Sequence, residues 1–324
     1  MSPIDSIRDL LGPWPDRPAL DAEVMSIEDC GSYRRETVQY SGADEERITA
    51  FVNVPNGRSG PMPAVFCHHQ HASQFDLGKS EVVGMAGDPD QAYAHELAEQ
   101  GFVTIAPDAI GFEQRNWSPG GNMNVCWFEL SRRLVQGRTL LARCLADVST
   151  AIDYLETRAE VNMDRIGFIG HSYGGRTALW APAFDRRIIA SVSNCGCVSY
   201  RLSDDRTVGF QPEFVVPGLA TTHDVEDVVG LYEGCALLIS AGIDDEYSRG
   251  AQDLFDAVRG RLGERVELAL YPTGQAFTRG MRERAYAFLR AWLQNQPNSD
   301  GWILARKCQG WIWASKVESG RVQR

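Results

Sequence analysis

Residues 164–176 read Asp-Arg-Ile-Gly-Phe-Ile-Gly-His-Ser-Tyr-Gly-Gly-Arg. An apolar run from Arg165 to Gly170 leads into Gly170-His171-Ser172-Tyr173-Gly174, and a helical stretch from Arg176 to Ala181 follows. Gly-x-Ser-x-Gly is a frequent pentapeptide, and the strand before it and helix after it give it meaning. Glycines at 170 and 174 let strand and helix pack closely across a sharp, strained turn. The Ser172 hydroxyl then projects at the carboxyl end of the sheet, where open α/β sheets bind ligands. The helix start offers free backbone N–H groups to a developing oxyanion.

Outward from this turn, strands and helices alternate. Pro63 to His68, Phe102 to Ala106, Ile188 to Ser193, Cys235 to Ala241 and Val266 to Leu270 read as buried strands. Asp90 to Gln100, Thr139 to Glu156 and Met281 to Leu293 have apolar residues at helical spacing. Tyr33 to Tyr40 and Arg47 to Val54 alternate and are joined by a polar turn, which predicts an antiparallel pair. Together they predict an α/β fold: a mainly parallel twisted sheet, helices on both faces and an antiparallel N-terminal edge. Residues 1–32 read as a helix and loop extension, 33–293 as the α/β domain, and 294–324 as a tail. Three tryptophans in that tail predict docking on the body or on a second copy in a homodimer.

The chain has 324 residues and a formal net charge of -11. This charge argues against a nucleic-acid partner, which would want a basic face. No basic-then-apolar leader and no apolar run of membrane-spanning length is present, so a cytoplasmic protein without membrane attachment is expected. Cys67, Cys144 and Cys235 sit inside apolar runs and read as buried thiols. No phosphate-binding or dinucleotide fingerprint occurs, so no cofactor is expected, and the partner is a small-molecule substrate.

Gly-His-Ser-Tyr-Gly-Gly-Arg, preceded by Asp164-Arg165-Ile166-Gly167, resembles the dienelactone hydrolase and acetyl xylan esterase-like branch of the α/β-hydrolase superfamily. The likeness runs from about Tyr33 to Leu293 and includes Ala106-Pro107-Asp108-Ala109-Ile110-Gly111-Phe112. It implies a serine nucleophile at Ser172 and hydrolysis of a small ester or lactone. Strand, glycine, two residues and Asp is the pattern for the acid. Leu237 to Gly242 followed by Ile243-Asp244-Asp245 selects Asp245 over its neighbour Asp244. The oxyanion donors fall on the N–H of Tyr173 and on Gln70 or His71, in His68-His69-Gln70-His71 where relatives carry His-Gly. Three histidines so close suggest a metal, but no carboxylate pattern accompanies them and none is expected.

The resemblance places the base of the triad after the last strand. There the chain reads Tyr271-Pro-Thr-Gly-Gln275-Ala-Phe277, with glutamine in the histidine slot. An amide hydrogen-bonds but has no pKa suited to proton transfer near neutrality. Four arrangements are open. His223, in Thr221-Thr222-His223-Asp224, acts as a surrogate base. The pocket serves a non-hydrolytic cyclase, lyase or isomerase step. The chain is an inactive variant. Or it is a ligand-binding protein. For substrate contacts, Glu113 and Arg115 follow a strand end, and Trp117 and Trp127 lie in the segment before the long helix.

Overall fold

The computed structural model describes residues 3–118, 122, 124–204 and 210–294. The tail reading falls on 295–324 and lies outside them. Nine strands make one sheet: β1 (Glu23–Asp29), β2 (Tyr33–Ser41), β3 (Arg47–Pro55), β4 (Met62–His68), β5 (Val103–Pro107), β6 (Val161–His171), β7 (Ile188–Asn194), β8 (Ala236–Gly242) and β9 (Val266–Tyr271). The helices are α1 (Pro3–Leu11), α2 (Lys79–Val82), α3 (Tyr93–Glu99), α4 (Asn124–Leu134), α5 (Leu140–Glu156), α6 (Tyr173–Phe184), α7 (Leu219–Thr222), α8 (Val225–Val229), α9 (Ala251–Leu262) and α10 (Arg279–Leu293).

The sheet order is β1-β2-β3-β5-β4-β6-β7-β8-β9. β1, β2, β3 and β5 pair antiparallel in turn, and β5 through β9 run parallel in their spatial order. The α/β architecture with an antiparallel edge is therefore as expected. One element differs. The sheet begins at Glu23, inside the segment read as a separate extension. Every residue of β1 is exposed, so no apolar alternation marks it, and pairing with β2 makes it a strand.

Side-chain alternation along the strands builds two cores. Ala64, Phe66, Ile166, Phe168, Leu237 and Ile239 face one side, packed with α1, α5, α6, α8 and α9. Val65, Cys67, Ile169, Ala236 and Leu238 face the other, packed with α3 and α10. Strands apolar on both faces are what a covered parallel sheet demands. The seven cysteines among the described residues are free, and Cys67, Cys144 and Cys235 are buried as read. Among the described residues, no helix is long and apolar enough to cross a membrane.

The α6 N-terminus is pressed against the ends of β4 and β6. A Cβ at Gly174 would lie 2.2 Å from the His68 carbonyl oxygen, and one at Gly170 would lie 2.3 Å from the Gly174 carbonyl carbon. Neither backbone can yield without moving the serine between them. Gly174→Ala is expected to cost about 3 kcal/mol or more in urea unfolding, as overpacking against backbone does. Gly280 lies in α10 with open space around its would-be Cβ. Gly280→Ala is the contrast, expected to stabilise by about 0.5 kcal/mol.

Candidate active site

Ser172 follows the last residue of β6 and caps α6 at φ 55°, ψ -109°. This is a strained conformation for a residue with a side chain, the kind held in place at functional turns. Its own N–H donates to the Asn194 carbonyl at 2.8 Å, and its carbonyl accepts from the Arg176 N–H at 2.9 Å. Both flanking elements therefore fix the turn. Ser172 is only 8% exposed. The Tyr173 N–H heads α6 among the first amides of the helix, which have no partner one turn back.

The loop after β4 lacks the glycine of the His-Gly pattern, and histidine side chains shape it instead. His68 Nδ1 donates to the His69 carbonyl at 2.9 Å, and His69 Nδ1 donates to the Gln70 carbonyl at 2.8 Å. His69 Nε2 accepts from the Ala109 N–H at 3.1 Å, tying the loop to the end of β5. The Tyr93 hydroxyl donates to the His68 carbonyl. Two residues beyond, Ala72 and Ser73 take φ of 43° and 56°, turning the chain back. The His71 ring stands edge-on to Phe75 and Phe112, with centroids 4.9 and 5.1 Å away, and neighbours Tyr173 at 6.3 Å.

Asp245 and Gln275 stand on the loops that follow β8 and β9. Asp245 is buried while Asp244 is exposed, so burial favours the residue that the strand pattern selects. The Asp245 carboxylate accepts from the Tyr247 N–H at 3.1 Å and the Ser248 hydroxyl at 2.5 Å. The Ile243 N–H donates to the Tyr271 carbonyl and the Asp244 N–H to the Thr273 carbonyl, so the two loops are stitched together. Gln275, on that second loop, sits beside the nucleophile. Its Nε2 donates to Ser172 Oγ at 2.8 Å. The hydroxyl oxygen thus accepts a hydrogen bond from a side-chain amide.

Asn194 joins these parts. Its Nδ2 donates to His171 Nδ1 at 2.7 Å and to the Ala276 carbonyl at 2.9 Å, and its Oδ1 accepts from the Ser240 hydroxyl at 2.6 Å. Sequence reading missed this residue. Its signal was a polar side chain ending the apolar β7 run. Burial lowers the pKa of His68, His71 and His171 to about 4, and pushes His69 down as well.

The other named residues have structural partners. His223 bonds the Ser6 hydroxyl through Nε2 at 2.9 Å, and its Nδ1 lies 3.7 Å from Asp227, so these contacts hold it to α1 and α8 rather than to Ser172. Glu113 pairs with Lys79 at 2.5 Å, and Lys79 pairs with buried Asp108 at 2.6 Å. Arg115 pairs with Glu46 at 2.7 Å and Asp147 at 2.8 Å. Trp117 and Trp127 are exposed, Trp117 resting edge-on against Phe128. A groove of about 630 Å³ beside α1, lined by Arg8, Trp14, Arg17 and Phe184, includes neither Ser172, Asp245 nor Gln275.

A strained serine turn between a central parallel strand and a helix, with Asp245 and Gln275 on the loops after the next-to-last and last strands of a mainly parallel sheet, belongs to an α/β-hydrolase-fold protein. Within that class the chain belongs to the dienelactone hydrolase family, whose model matches residues 79–296, and with it to the hydrolases that act on ester bonds. It is 29% identical over 308 residues to YtaP of Bacillus subtilis (strain 168), provisionally named a hydrolase, covering 88% of this chain and 96% of that one. The fold is similar to that of an acetyl xylan esterase from Paenibacillus sp. R4, with a TM-score of 0.62, 20% identity, and 90% and 93% of the two chains covered. It is likewise similar to a glucuronoyl esterase from Solibacter usitatus, with a TM-score of 0.62, 17% identity, and 89% and 91% covered.

The histidines carry a pH prediction. Unfolded, each ring takes up its proton near 6.5, and folded, His68, His71 and His171 do so only near 4. Each ring's contribution to stability is full above pH 6.5 and is lost as the pH falls toward 4. Side-chain NMR is expected to show these three imidazoles neutral from pH 8 down to about 5. A ring titrating near 6.5 in the folded chain would contradict that placement.

Proposed function

We propose that the chain is a serine-type hydrolase of small esters or lactones that works through Ser172 with its proton relay impaired. The observation that carries this reading is the 2.8 Å hydrogen bond from Gln275 Nε2 to Ser172 Oγ, at a strained turn beside free helix-start amides. In acylation Oγ bonds to the substrate carbonyl carbon. The carbonyl oxygen takes the electron pair and is held by the Tyr173 N–H and by the loop at Gln70 and His71. Collapse expels the alcohol, or opens the lactone and leaves its alcohol tethered. The proton of Oγ reaches that leaving oxygen through water, because Gln275 cannot accept it. Water then attacks the acyl carbon and restores the hydroxyl.

A positioned general base contributes roughly 10²–10⁴-fold to such steps. Gln275 orients Oγ without supplying that factor. Asp245 has no imidazole to orient and bonds its own turn through Tyr247 and Ser248.

A fluorophosphonate is expected to label Ser172 slowly. Gln275→His is expected to raise labelling and the hydrolysis of p-nitrophenyl acetate by about 10²–10⁴-fold. Ser172→Ala is expected to abolish both. No adduct at Ser172 in either form would sink the reading. The same glutamine also suits a repurposed site working without an acyl-enzyme, which predicts turnover that survives Ser172→Ala.

A further inference from the structure

Among the described residues, buried side-chain nitrogen and oxygen atoms that lack a hydrogen-bond partner concentrate on four residues: Arg176 in α6, His71 in the loop after β4, and Gln211 and Glu213 in the segment whose Phe210 and Phe214 rings pack on Arg176. The atoms are His71 Nε2, Arg176 Nη1 and Nη2, Gln211 Oε1, and Glu213 Oε1 and Oε2. Isolated unpaired groups occur in many proteins, but a concentration of them in one place calls for an explanation. Leaving both terminal nitrogens of a guanidinium unpaired in the interior is costly unless something else completes them.

Arg176 lies one helical turn beyond Ser172, and aromatic rings surround its guanidinium. Phe210, Phe214 and Tyr247 have ring centroids 5.7, 5.6 and 5.6 Å from its central carbon. Phe214 in turn packs edge-on to Tyr173, the residue after the nucleophile, at 5.7 Å. The cluster therefore adjoins the Ser172 turn through Phe214 and Tyr173, the Asp245 turn through Tyr247, and the loop after β4 through the His71 ring beside Tyr173.

The chemistry of the unpaired atoms is mixed. Arg176 supplies only donors. His71 Nδ1 accepts from the Ser73 N–H at 3.2 Å, so its ring proton is on Nε2 and makes a further donor. Gln211 Oε1 is an acceptor. Glu213 faces the Cys126 thiol, a weak donor already directed at the Ile110 carbonyl at 3.8 Å. Burial pushes the Glu213 carboxyl up in pKa, toward its neutral form. Arg176 faces two acids, Asp245 and Glu213, so the cluster has no spare positive charge for an anion. Hydroxyl groups match it best, since each accepts from a guanidinium or imidazole N–H and donates to a carboxyl or amide oxygen.

We infer that Arg176, Glu213, Gln211 and the His71 imidazole form a specificity subsite beside Ser172 for a neutral substrate group carrying adjacent hydroxyls. The inference rests on the ester-hydrolase reading for its turnover test, and on binding alone for its second test. Three acetate esters of similar size separate the classes: 1-acetylglycerol, propyl acetate and 2-acetoxypropionate. In the chain and in its Gln275→His form, kcat/KM for 1-acetylglycerol is expected to exceed that for propyl acetate by about tenfold or more, the worth of a hydrogen bond to a charged group. Arg176→Met is expected to bring the ratio to about one, and Arg176→Lys to restore part of it. Glu213→Leu is expected to lower the ratio while raising Tm, because it removes a buried, unpaired acid that a purely structural role would not retain.

Saturation-transfer NMR with 1-acetylglycerol reads binding whether or not the ester is cleaved, and transfer is expected in the wild type and not in Arg176→Met. Transfer without turnover in any form would tell against the hydrolase reading and leave the subsite standing. A preference for 2-acetoxypropionate, a glycerol-to-propyl ratio unchanged in Arg176→Met, equal transfer in that variant, or a lower Tm with an unchanged ratio in Glu213→Leu would overturn the subsite.

Discussion

The site depends on a backbone-to-backbone contact. The first turn of α6 lies against the ends of β4, β6 and β7 with no side chains between them. Would-be Cβ atoms at Gly170, Gly174 and Gly175 fall 2.2–2.3 Å from neighbouring main-chain atoms. Such proximity is available only to glycine, and it holds Ser172 in its strained conformation. The strain is maintained because the two cores on either side of the sheet fix the elements that meet there.

The same contact organises the polar parts. Asn194, at the end of β7, uses its main chain to hold Ser172 and its side chain to hold the Gln275 loop and His171. Phe277 is buried against Tyr93 and His171 at ring-centroid distances of 5.6 and 5.8 Å, seating the other side of that loop. Gln275 is thus delivered to Ser172 by this frame. The chemistry at its tip is that of an amide, which donates to Oγ but cannot carry a proton away.

Most of the fold was legible because a covered parallel sheet writes itself into the chain as apolar runs separated by helical periods. β4 to β9, α5 and α10 lie where those patterns put them to within a few residues. β1 was not legible, since it buries nothing and is a strand only through its neighbour. Within the site, the positions of Ser172, Asp245 and Gln275 after β6, β8 and β9 were legible because each follows a recognisable strand end. Glu113 and Arg115 were named for the same reason, yet they answer Lys79, Glu46 and Asp147, whose distance in sequence hides the pairing. Asn194 and Arg176 carried no local signature beyond a polar residue in an apolar or helical setting.

By itself, the sequence determined where the chain must reverse, which residue stands at the reversal, and that an amide follows the last strand. Those are matters of local geometry and side-chain identity, and neighbours along the chain suffice to express them. Only the tertiary structure decided which atoms meet: Gln275 on Ser172 across 103 residues, His223 on Ser6 instead of Ser172, and the unpaired Arg176 guanidinium ringed by Phe210, Phe214 and Tyr247 beside the Ser172 turn. Hydrogen bonds act over about 3 Å in space with no regard for separation along the chain, so they become readable only once the sheet has been assembled.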